Sequence, residues 1–211
     1  GGRRLELEMI PRSVSLWRTD YNCFPDSRPE ASQVQTGGLH LWLPLNSIRP
    51  MARPGDTYHA RSAYSSGLVM NLERYSLWDF RQPGFPWNWI RQRLVEARRL
   101  RPYFCGDFYP LTPCVFDLDS WMAYQLLLPE KQEGAVLAFR RPASSMTAGC
   151  FRLYGLDAEA AYAFEDADDG RTWRTSGREL MEKGLALSMD IPRSSRLLFF
   201  RRRANSADSA L

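Results

Sequence analysis

One carboxylate in this 211-residue chain stands among residues that suit it for acid–base chemistry. Asp20 lies between the aromatic residues Trp17 and Tyr21 and follows Arg18 and Thr19. Retaining cleavage of a glycosidic bond uses two carboxylates, one of which donates a proton to the leaving oxygen, and an indole face can stack on a sugar ring. We therefore take Asp20 as a candidate proton donor and its aromatic neighbours as candidate sugar contacts. The alternative is an Asp that caps a helix or lies in a loop.

Two segments near the start of the chain carry a resemblance to a known family. Residues 1–9 (Gly-Gly-Arg-Arg-Leu-Glu-Leu-Glu-Met) and 17–20 (Trp-Arg-Thr-Asp) resemble the Gly-Gly-Gly-Arg and Trp-x-Ser-Asp motifs of the retaining α-galactosidases of glycoside hydrolase family 36. Further matches follow in the family's order along most of the chain, at Gly38-Leu39-His40-Leu41, at Arg61-Ser62 with Gly67-Leu68, and at residues 101–111.

The chain departs from the family pattern at several positions. Thr19 stands where Ser is usual and Arg3 where a third Gly is usual, and the Cys that normally precedes the glycines is absent. No Lys-Trp-Asp, the motif that carries the family's nucleophile, occurs anywhere in the sequence. The resemblance therefore implies the C-terminal part of an enzyme, with the nucleophile upstream of Gly1. We expect the chain to need the N-terminal half of the same polypeptide and to be inactive alone.

The resemblance also implies a fold and a domain organisation. The expected fold class is α/β plus all-β, with the C-terminal portion of a catalytic (β/α)8 barrel over residues 1–113. An antiparallel β-sandwich would follow over residues 114–203, and a flexible tail over residues 204–211. In such a barrel the catalytic groups lie at the C-terminal ends of the strands, and the segment around Asp20 is expected at one such end.

The implied activity is hydrolysis of terminal α-linked galactose from oligosaccharides or glycoconjugates. Asp20 would be the acid/base, joined in substrate binding by Trp17, Tyr21, Gly1, Gly2 and Arg4. For the glycines an ordinary tight turn is the alternative, because a residue without a Cβ serves both purposes. Arg4 could equally be an ion-pair partner of a nearby Glu. His40 is expected to be a hydrogen-bonded strand residue, and Asp107 a structural carboxylate.

Residue patterns give an independent picture of the elements. Alternating leucines from Leu39 to Leu45 predict a strand, residues 62–75 a helix, and Trp87 to Leu100 the clearest helix, ended by Pro102. Its apolar stripe is expected at Ile90, Leu94 and Ala97. After residue 113 the pattern predicts strands without a convincing helix, at 121–128, 134–141, 150–154, 161–165, 185–190 and 196–203. Five tryptophans are expected to pack in cores: Trp42, Trp78, Trp87, Trp89 and Trp121.

Composition excludes several classes of function. The four cysteines and two histidines lack metal-ligand spacing, so we expect neither metal nor cofactor. No long apolar run exists to span a membrane. The net charge of +4 reflects local arginine clusters without a nucleic-acid-binding motif, so no nucleic-acid partner is expected. A homo-oligomer and any cellular compartment stay open.

Two further functions compete with the α-galactosidase. A close variant is an α-N-acetylgalactosaminidase, since pocket details upstream of Gly1 would decide the sugar. A different class is a non-catalytic carbohydrate-binding module, for which seven tryptophans and a terminal sandwich would suffice. The module predicts sugar binding by residues 114–203 alone. A basic nucleic-acid-binding domain ranks last and predicts affinity that falls steeply with salt.

Overall fold

The structure is a computed structural model that describes residues 16–18, 24, 26–72 and 80–203, with the backbone alone for residues 16 and 17. The chain divides into two compact units, Gly1–Cys105 and Gly106–Leu211. The boundary expected from the sequence lies after residue 113, eight residues later than the observed one. The observed division is earlier because residues 107–110 form a strand that pairs within the second unit.

The first unit contains three short parallel strands that alternate with helices. Strands β1 (Leu16–Trp17), β2 (Asn46–Ile48) and β3 (Gly67–Leu68) lie side by side in that order. Helix α1 (Pro29–His40) connects the first pair of strands and α2 (Thr57–Ser62) the second pair. This strand–helix alternation is the α/β arrangement expected from the sequence.

Burial and capping explain these elements. The three residues of β2 are buried, Ile48 completely, as expected of a parallel strand covered on both faces. Pro29 occupies the first turn of α1, where its missing N–H costs nothing. The Asp56 carboxylate accepts a hydrogen bond from the His59 backbone N–H at 2.9 Å and caps α2.

Two of the predicted elements in this unit are wrong. The predicted strand 39–45 begins in the last turn of α1 and continues without strand structure, and Leu41 is 60% exposed. Alternation is typical of half-exposed antiparallel strands, whereas the strand that forms, β2, is short, polar and buried throughout. The predicted helix 62–75 is also wrong, because α2 ends at Ser62 and β3 follows.

Helix α3 (Trp87–Leu100) confirms the predicted helix, and a 3-10 helix (Arg101–Cys105) follows it. Its buried face differs from the predicted stripe. Leu94 is 40% exposed, while Ile90, Glu96 and Leu100 are buried. The helix therefore turns a carboxylate inward, a choice that an apolar pattern cannot predict.

The second unit is antiparallel throughout. Its strands are β4 (Asp107–Pro110), β5 (Trp121–Leu128), β6 (Glu133–Arg140), β7 (Ala148–Phe151), β8 (Ala161–Asp166), β9 (Thr172–Ser176), β10 (Leu185–Ser188) and β11 (Ser194–Arg202). Six of them form a sheet in the order β4-β5-β6-β11-β8-β9, and β10 pairs with β7 in a second sheet. Five of the six predicted strands are confirmed to within two residues at each end, and the sixth, predicted at 150–154, shares two residues with β7 (Ala148–Phe151). Strands β4 and β9 and the short helix α4 (Gly177–Glu182) were missed.

One apolar core lies between these sheets. It includes Ala123 of β5, Val136 of β6 and Phe164 of β8 together with Phe151 of β7 and Leu187 of β10. Leu180 of α4 belongs to the same cluster. The two sheets and the helix therefore share a core, which is the layered packing that the sequence predicted for this region.

Candidate functional site at the carboxyl ends of the parallel strands

The carboxyl ends of the three parallel strands lead into the segments with the strongest chemical interest. Arg18 follows β1, Arg49 follows β2 and Val69 follows β3. Parallel α/β sheets place ligands at this edge, since the loops after the strands converge there. The candidate acid/base Asp20 stands two residues beyond Arg18, in the segment that leaves this edge.

Most of the site residues predicted from sequence lie outside the described residues. These are Asp20, Tyr21, Gly1, Gly2 and Arg4. Their roles therefore stay predictions.

The segment before Asp20 is anchored on both sides. Trp17 is the last residue of β1, and its backbone pairs with Ser47. The backbone N–H of Arg18 continues the ladder by donating to the Ser47 carbonyl at 3.0 Å. The half-buried Arg18 side chain donates from Nη1 to the Thr36 hydroxyl of α1 at 2.9 Å. The residue two positions before the candidate Asp is thus fixed to both the sheet and the helix layer.

A cavity of about 530 Å³ opens beside the residues that follow β2 and β3. Its size is that of a small-molecule site. The described residues that line it are Arg49, Val69, Met70, Asn71, Leu72, Phe80 and Trp87.

The aromatic wall of this cavity begins at helix α3. Trp87 is the first residue of the helix, and its ring lies 4.7 Å from that of Phe85 and 6.4 Å from that of Phe80, centre to centre. Behind the wall, Phe85 belongs to a small core with Ala52 and Ile90. The Trp87 indole packs on the Phe85 ring and is still 40% exposed to solvent. Such a surface can stack on the apolar face of a sugar.

Among the described lining residues, the charged group is the Arg49 guanidinium. Arg49 Nη2 donates to Asn71 Oδ1 at 3.2 Å. Asn71 is itself held in place, since its backbone N–H donates to the Pro50 carbonyl and its carbonyl accepts from the Ala52 N–H. The described lining contains no carboxylate.

His40 is not a catalytic base in this arrangement. It is buried at the end of α1, and its Nε2–H donates to the Phe104 carbonyl at 3.1 Å. Burial, opposed by that hydrogen bond and aided by the Arg18 charge, lowers the His40 pKa to about 4. The expected hydrogen bond is present, but the residue lies on a helix instead of the predicted strand.

A buried polar cluster joins α2 to α3 and was missed by the sequence analysis. Arg61 donates from Nε and Nη2 to the two Glu96 carboxylate oxygens at 2.9 and 3.0 Å. The Tyr64 hydroxyl donates to the same carboxylate at 2.8 Å, and Arg93 approaches it to 3.1 Å. Burial and then the Glu96 charge raise the pKa of Tyr64 well above its usual value. The tight pairing indicates a structural role.

The tryptophans divide between core and surface. Trp121 packs in the core of the second unit, as expected. Trp42 is 68% exposed and Trp87 lines the cavity, so the prediction that both are core residues is wrong. Trp42 stands two residues after the end of α1, where the sequence predicted a strand, and Trp87 is the first residue of α3. An aromatic residue at an element boundary is often solvent-facing.

Asp107 was expected to be a structural carboxylate. Asp107 is exposed and accepts a hydrogen bond from the Tyr109 hydroxyl at 3.1 Å.

Across the described ranges no group of histidine, cysteine and carboxylate side chains is arranged to hold a metal ion. Cys105, Cys114 and Cys150 are free thiols. Within the same ranges, none of the helices has the length and apolar character needed to cross a bilayer.

The fold defines a class: an α/β unit with parallel strands joined by helices, followed by an antiparallel β unit. Solved structures of glycoside hydrolases share it. The galactosidase domain of α-galactosidase-sucrose kinase, AgaSK, matches with a TM-score of 0.66 and 16% identity, over 90% of this chain and 26% of that chain. The family 36 α-galactosidase AgaB from Geobacillus stearothermophilus matches with a TM-score of 0.62 and 19% identity, over 84% and 25%.

These likenesses confirm, at the level of the fold, the family 36 resemblance noted in the sequence. The chain spans about a quarter of the length of each of these two structures. No protein-family model matches the sequence, and no curated protein matches it.

Proposed function

We propose that this chain is the C-terminal part of a retaining α-galactosidase of glycoside hydrolase family 36. The observation that supports it most is the fold likeness to two α-galactosidase structures over 84–90% of the chain. The candidate Asp also stands three residues after the carboxyl end of β1 in the sequence, and barrel enzymes carry their chemistry at that edge. In this proposal β1, β2 and β3 complete a (β/α)8 barrel whose other strands belong to the same polypeptide.

The proposed reaction has two steps. In the first, a carboxylate from the remainder of the barrel attacks the anomeric carbon while Asp20 donates its proton to the leaving oxygen. In the second, the Asp20 carboxylate removes a proton from water, the water oxygen bonds to the anomeric carbon, and the nucleophile is released. Retention requires the two carboxyl groups to lie about 5 Å apart. The proton returns to Asp20 at the end of each cycle.

The cavity beside β2 and β3 would form part of the sugar site. Trp87 offers a ring face, and the Arg49 and Asn71 side chains offer donors for hydroxyl groups. Gly1, Gly2, Arg4, Trp17 and Tyr21 are the other proposed substrate contacts.

The test uses the polypeptide that includes the complete barrel, with Asp20→Ala as the variant. Loss of the proton donor should reduce turnover of galactosides with poor leaving groups by about 10²- to 10⁴-fold and spare activated aryl galactosides more. Asp26→Ala is a matched control, because Asp26 is an exposed Asp of the same segment. Unchanged turnover on both substrates would remove Asp20 from the mechanism.

A carbohydrate-binding module is the second candidate, and one feature of the second unit favours it. A groove of about 650 Å³ is lined by Trp173 and Thr175 of β9, by residues of β10, and by Asp166 paired with Arg196 at 2.5 Å. Trp173 is half-buried and stacks on Phe164, so its ring is firmly held. If this groove is the sugar site, Trp173→Ala should abolish galactoside binding by the chain and Trp87→Ala should not. The opposite pattern favours the barrel site.

A further inference from the structure

Exposed apolar side chains of the second unit are concentrated in three loops. The loops are residues 111–120, 141–147 and 189–193. Among the described residues of this unit, six large apolar side chains are exposed, and five of them lie in these loops: Val115, Phe116, Leu118, Met146 and Ile191. Their exposed fractions range from 38% to 73%. Isolated exposed apolar residues are common, but a group of them marks an interaction surface.

The three loops lie at one end of the second unit, which we call the apolar end. They precede β5, follow β6 and precede β11. Trp121 at the start of β5 pairs with Arg140 at the end of β6, and Arg140 pairs with Ser194 at the start of β11. The backbone N–H of Met189 donates to the Thr147 carbonyl at 2.8 Å and so joins two of the loops directly. The five side chains therefore belong to one surface.

Two buried arginines hold these loops together. Arg140 donates from Nη2 to the Ser144 carbonyl and from Nη1 to the Met189 carbonyl, both at 2.8 Å. Arg141, whose side chain is 0% exposed, donates from Nη1 to the Val115 carbonyl at 2.8 Å. All three loops are thus tied to one of these two neighbouring residues. A surface that is fixed in advance loses little conformational entropy when it binds, so these contacts favour association.

The apolar end is large enough for a stable interface. Residues of this size each present roughly 150–200 Å² when fully exposed, so the five side chains offer roughly 500 Å² of apolar surface. A stable interface buries about 800 Å² on each partner, of which a little more than half is apolar. The apolar end therefore has the apolar area that a standard dimer interface needs.

The path of the chain favours a separate molecule as the partner. Strand β4 begins at Asp107, which pairs with Leu127, and β11 runs from the apolar end to Arg201, which pairs with Glu133. These pairs lie at the opposite end of the sheet, where β5 ends and β6 begins. The chain therefore enters and leaves this unit at that end. Because segments close in sequence usually pack as neighbours, a second copy is better placed to cover the apolar end.

The charges around the apolar side chains fit a contact between identical surfaces. Asp119, Asp190 and Arg193 are exposed in the same loops. In a two-fold contact the same patch is present on both copies, so the acidic groups of one copy can meet the arginine of the other. A surface with both signs of charge among apolar groups can therefore be complementary to itself.

We propose that the apolar end is the contact between two copies of this polypeptide, related by a two-fold axis. In this contact Phe116, Met146 and Ile191 of each copy pack against the other copy, and the exposed acidic groups face Arg193. None of the residues proposed for sugar binding or proton transfer takes part. The inference thus goes beyond the proposed function and does not depend on it.

Analytical ultracentrifugation of the polypeptide that includes the complete barrel tests the contact. It should sediment as a dimer, or as a larger assembly with an even number of copies. Phe116→Ser combined with Ile191→Ser should weaken self-association by at least about 100-fold, since each substitution removes two apolar anchors from a two-fold contact. Tyr154→Ser is the matched control and should leave the assembly unchanged. Tyr154 is the sixth exposed apolar residue of this unit, 48% exposed, and lies outside the three loops.

Oxidation of Met146 by hydrogen peroxide identifies what covers the surface. In the parent, Met146 should react more slowly at concentrations at which the assembly forms than after dilution to the monomer. In the double variant, shown to be folded by a thermal melt, it should react rapidly at both concentrations.

Three outcomes would overturn the inference. A monomeric parent with a protected Met146 would show that another part of the same polypeptide covers the apolar end. A monomeric parent with a reactive Met146 would show that the surface is uncovered. An assembly that survives the double substitution would place the contact elsewhere. Turnover is measured separately, so an inactive dimer counts against the proposed function alone, and an active monomer against this inference alone.

Discussion

At the scale of single residues, His40 makes stability depend on pH. Its pKa is about 4 in the folded chain, where it is buried, and close to 6.5 in an unfolded chain. The unfolded state therefore binds a proton between these pH values while the folded state does not. The contribution of His40 to the free energy of unfolding should be fully present above pH 6.5. The free energy of unfolding should then fall as the pH decreases towards 4, by roughly 2 kcal/mol between pH 7 and 5.

Urea unfolding across that pH range checks this expectation. His40→Gln keeps a donor for the Phe104 carbonyl and removes the titrating group. The variant should therefore lose less stability on acidification than the parent chain, and the other histidine, His59, is present in both proteins. Parallel pH profiles would show that His40 is not the group responsible.

A second prediction at the scale of single residues concerns the contribution of Glu96 to stability. Glu96→Gln keeps the shape of the side chain but removes the charge that Arg61 meets through Nε and Nη2, and the Arg61 side chain is 0% exposed. Removing one partner of a buried ion pair costs about 3–5 kcal/mol. Chemical denaturation of the first unit should show that loss. Glu130→Gln makes the same change at an exposed turn of the second unit and should stay within about 0.5 kcal/mol of the parent.

The sequence predicted some of these residues and missed others for physical reasons. Asp20 was identifiable because the family motif places it, and Trp87 to Leu100 because a helix period is a local property. Arg49 and Glu96 were not identifiable. Their roles depend on what the fold brings close, a neutral Asn71 for one and Arg61 for the other, and those partners lie 22 and 35 residues away.

At the scale of elements, the two units differ in how well their sequence predicts them. Strand β5 is an apolar run between turn residues, and its predicted bounds, 121–128, agree with the structure. The parallel strands are two or three residues long, and β2 contains the polar Asn46 and Ser47. The burial of β2 depends on what the fold packs around it, which no local pattern reports. Strand β9 was missed because its residues alternate between exposed and half-buried.

Close strand pairing gives a prediction at this scale. Gly134 of β6 faces β5 so closely that an added Cβ would overlap the Leu126 carbonyl oxygen and lie 2.7 Å from the Phe200 ring. Gly134→Ala should destabilise the second unit by about 1–3 kcal/mol, because a backbone oxygen in a ladder cannot move away.

A second glycine serves as the control. Gly38 is exposed on α1, and nothing lies within 4 Å of a Cβ there. Gly38→Ala should stabilise the first unit by up to about 1 kcal/mol, since alanine has the better helix propensity. Equal effects of the two substitutions in thermal melts would contradict the close approach at Gly134.

At the scale of the whole molecule, the proposal that β1, β2 and β3 belong to a larger barrel has a consequence for behaviour in solution. Within the described ranges, β1 and β3 each pair on one side only. Unpaired strand edges promote association. The 211-residue chain alone should therefore aggregate or melt at a lower temperature than a longer polypeptide that includes the remaining barrel strands. A cooperative melt of the isolated chain at high temperature would contradict this.

The most direct test of the central claim is the product that an Asp20→Gly enzyme with the complete barrel forms in azide. An activated aryl α-galactoside can form the galactosyl-enzyme without a proton donor, and the second step then lacks its base. Azide needs no base, so it should restore turnover and yield α-galactosyl azide, with retained configuration. The β-galactosyl azide would instead make Asp20 the nucleophile, and turnover that does not respond to azide would exclude it as the acid/base.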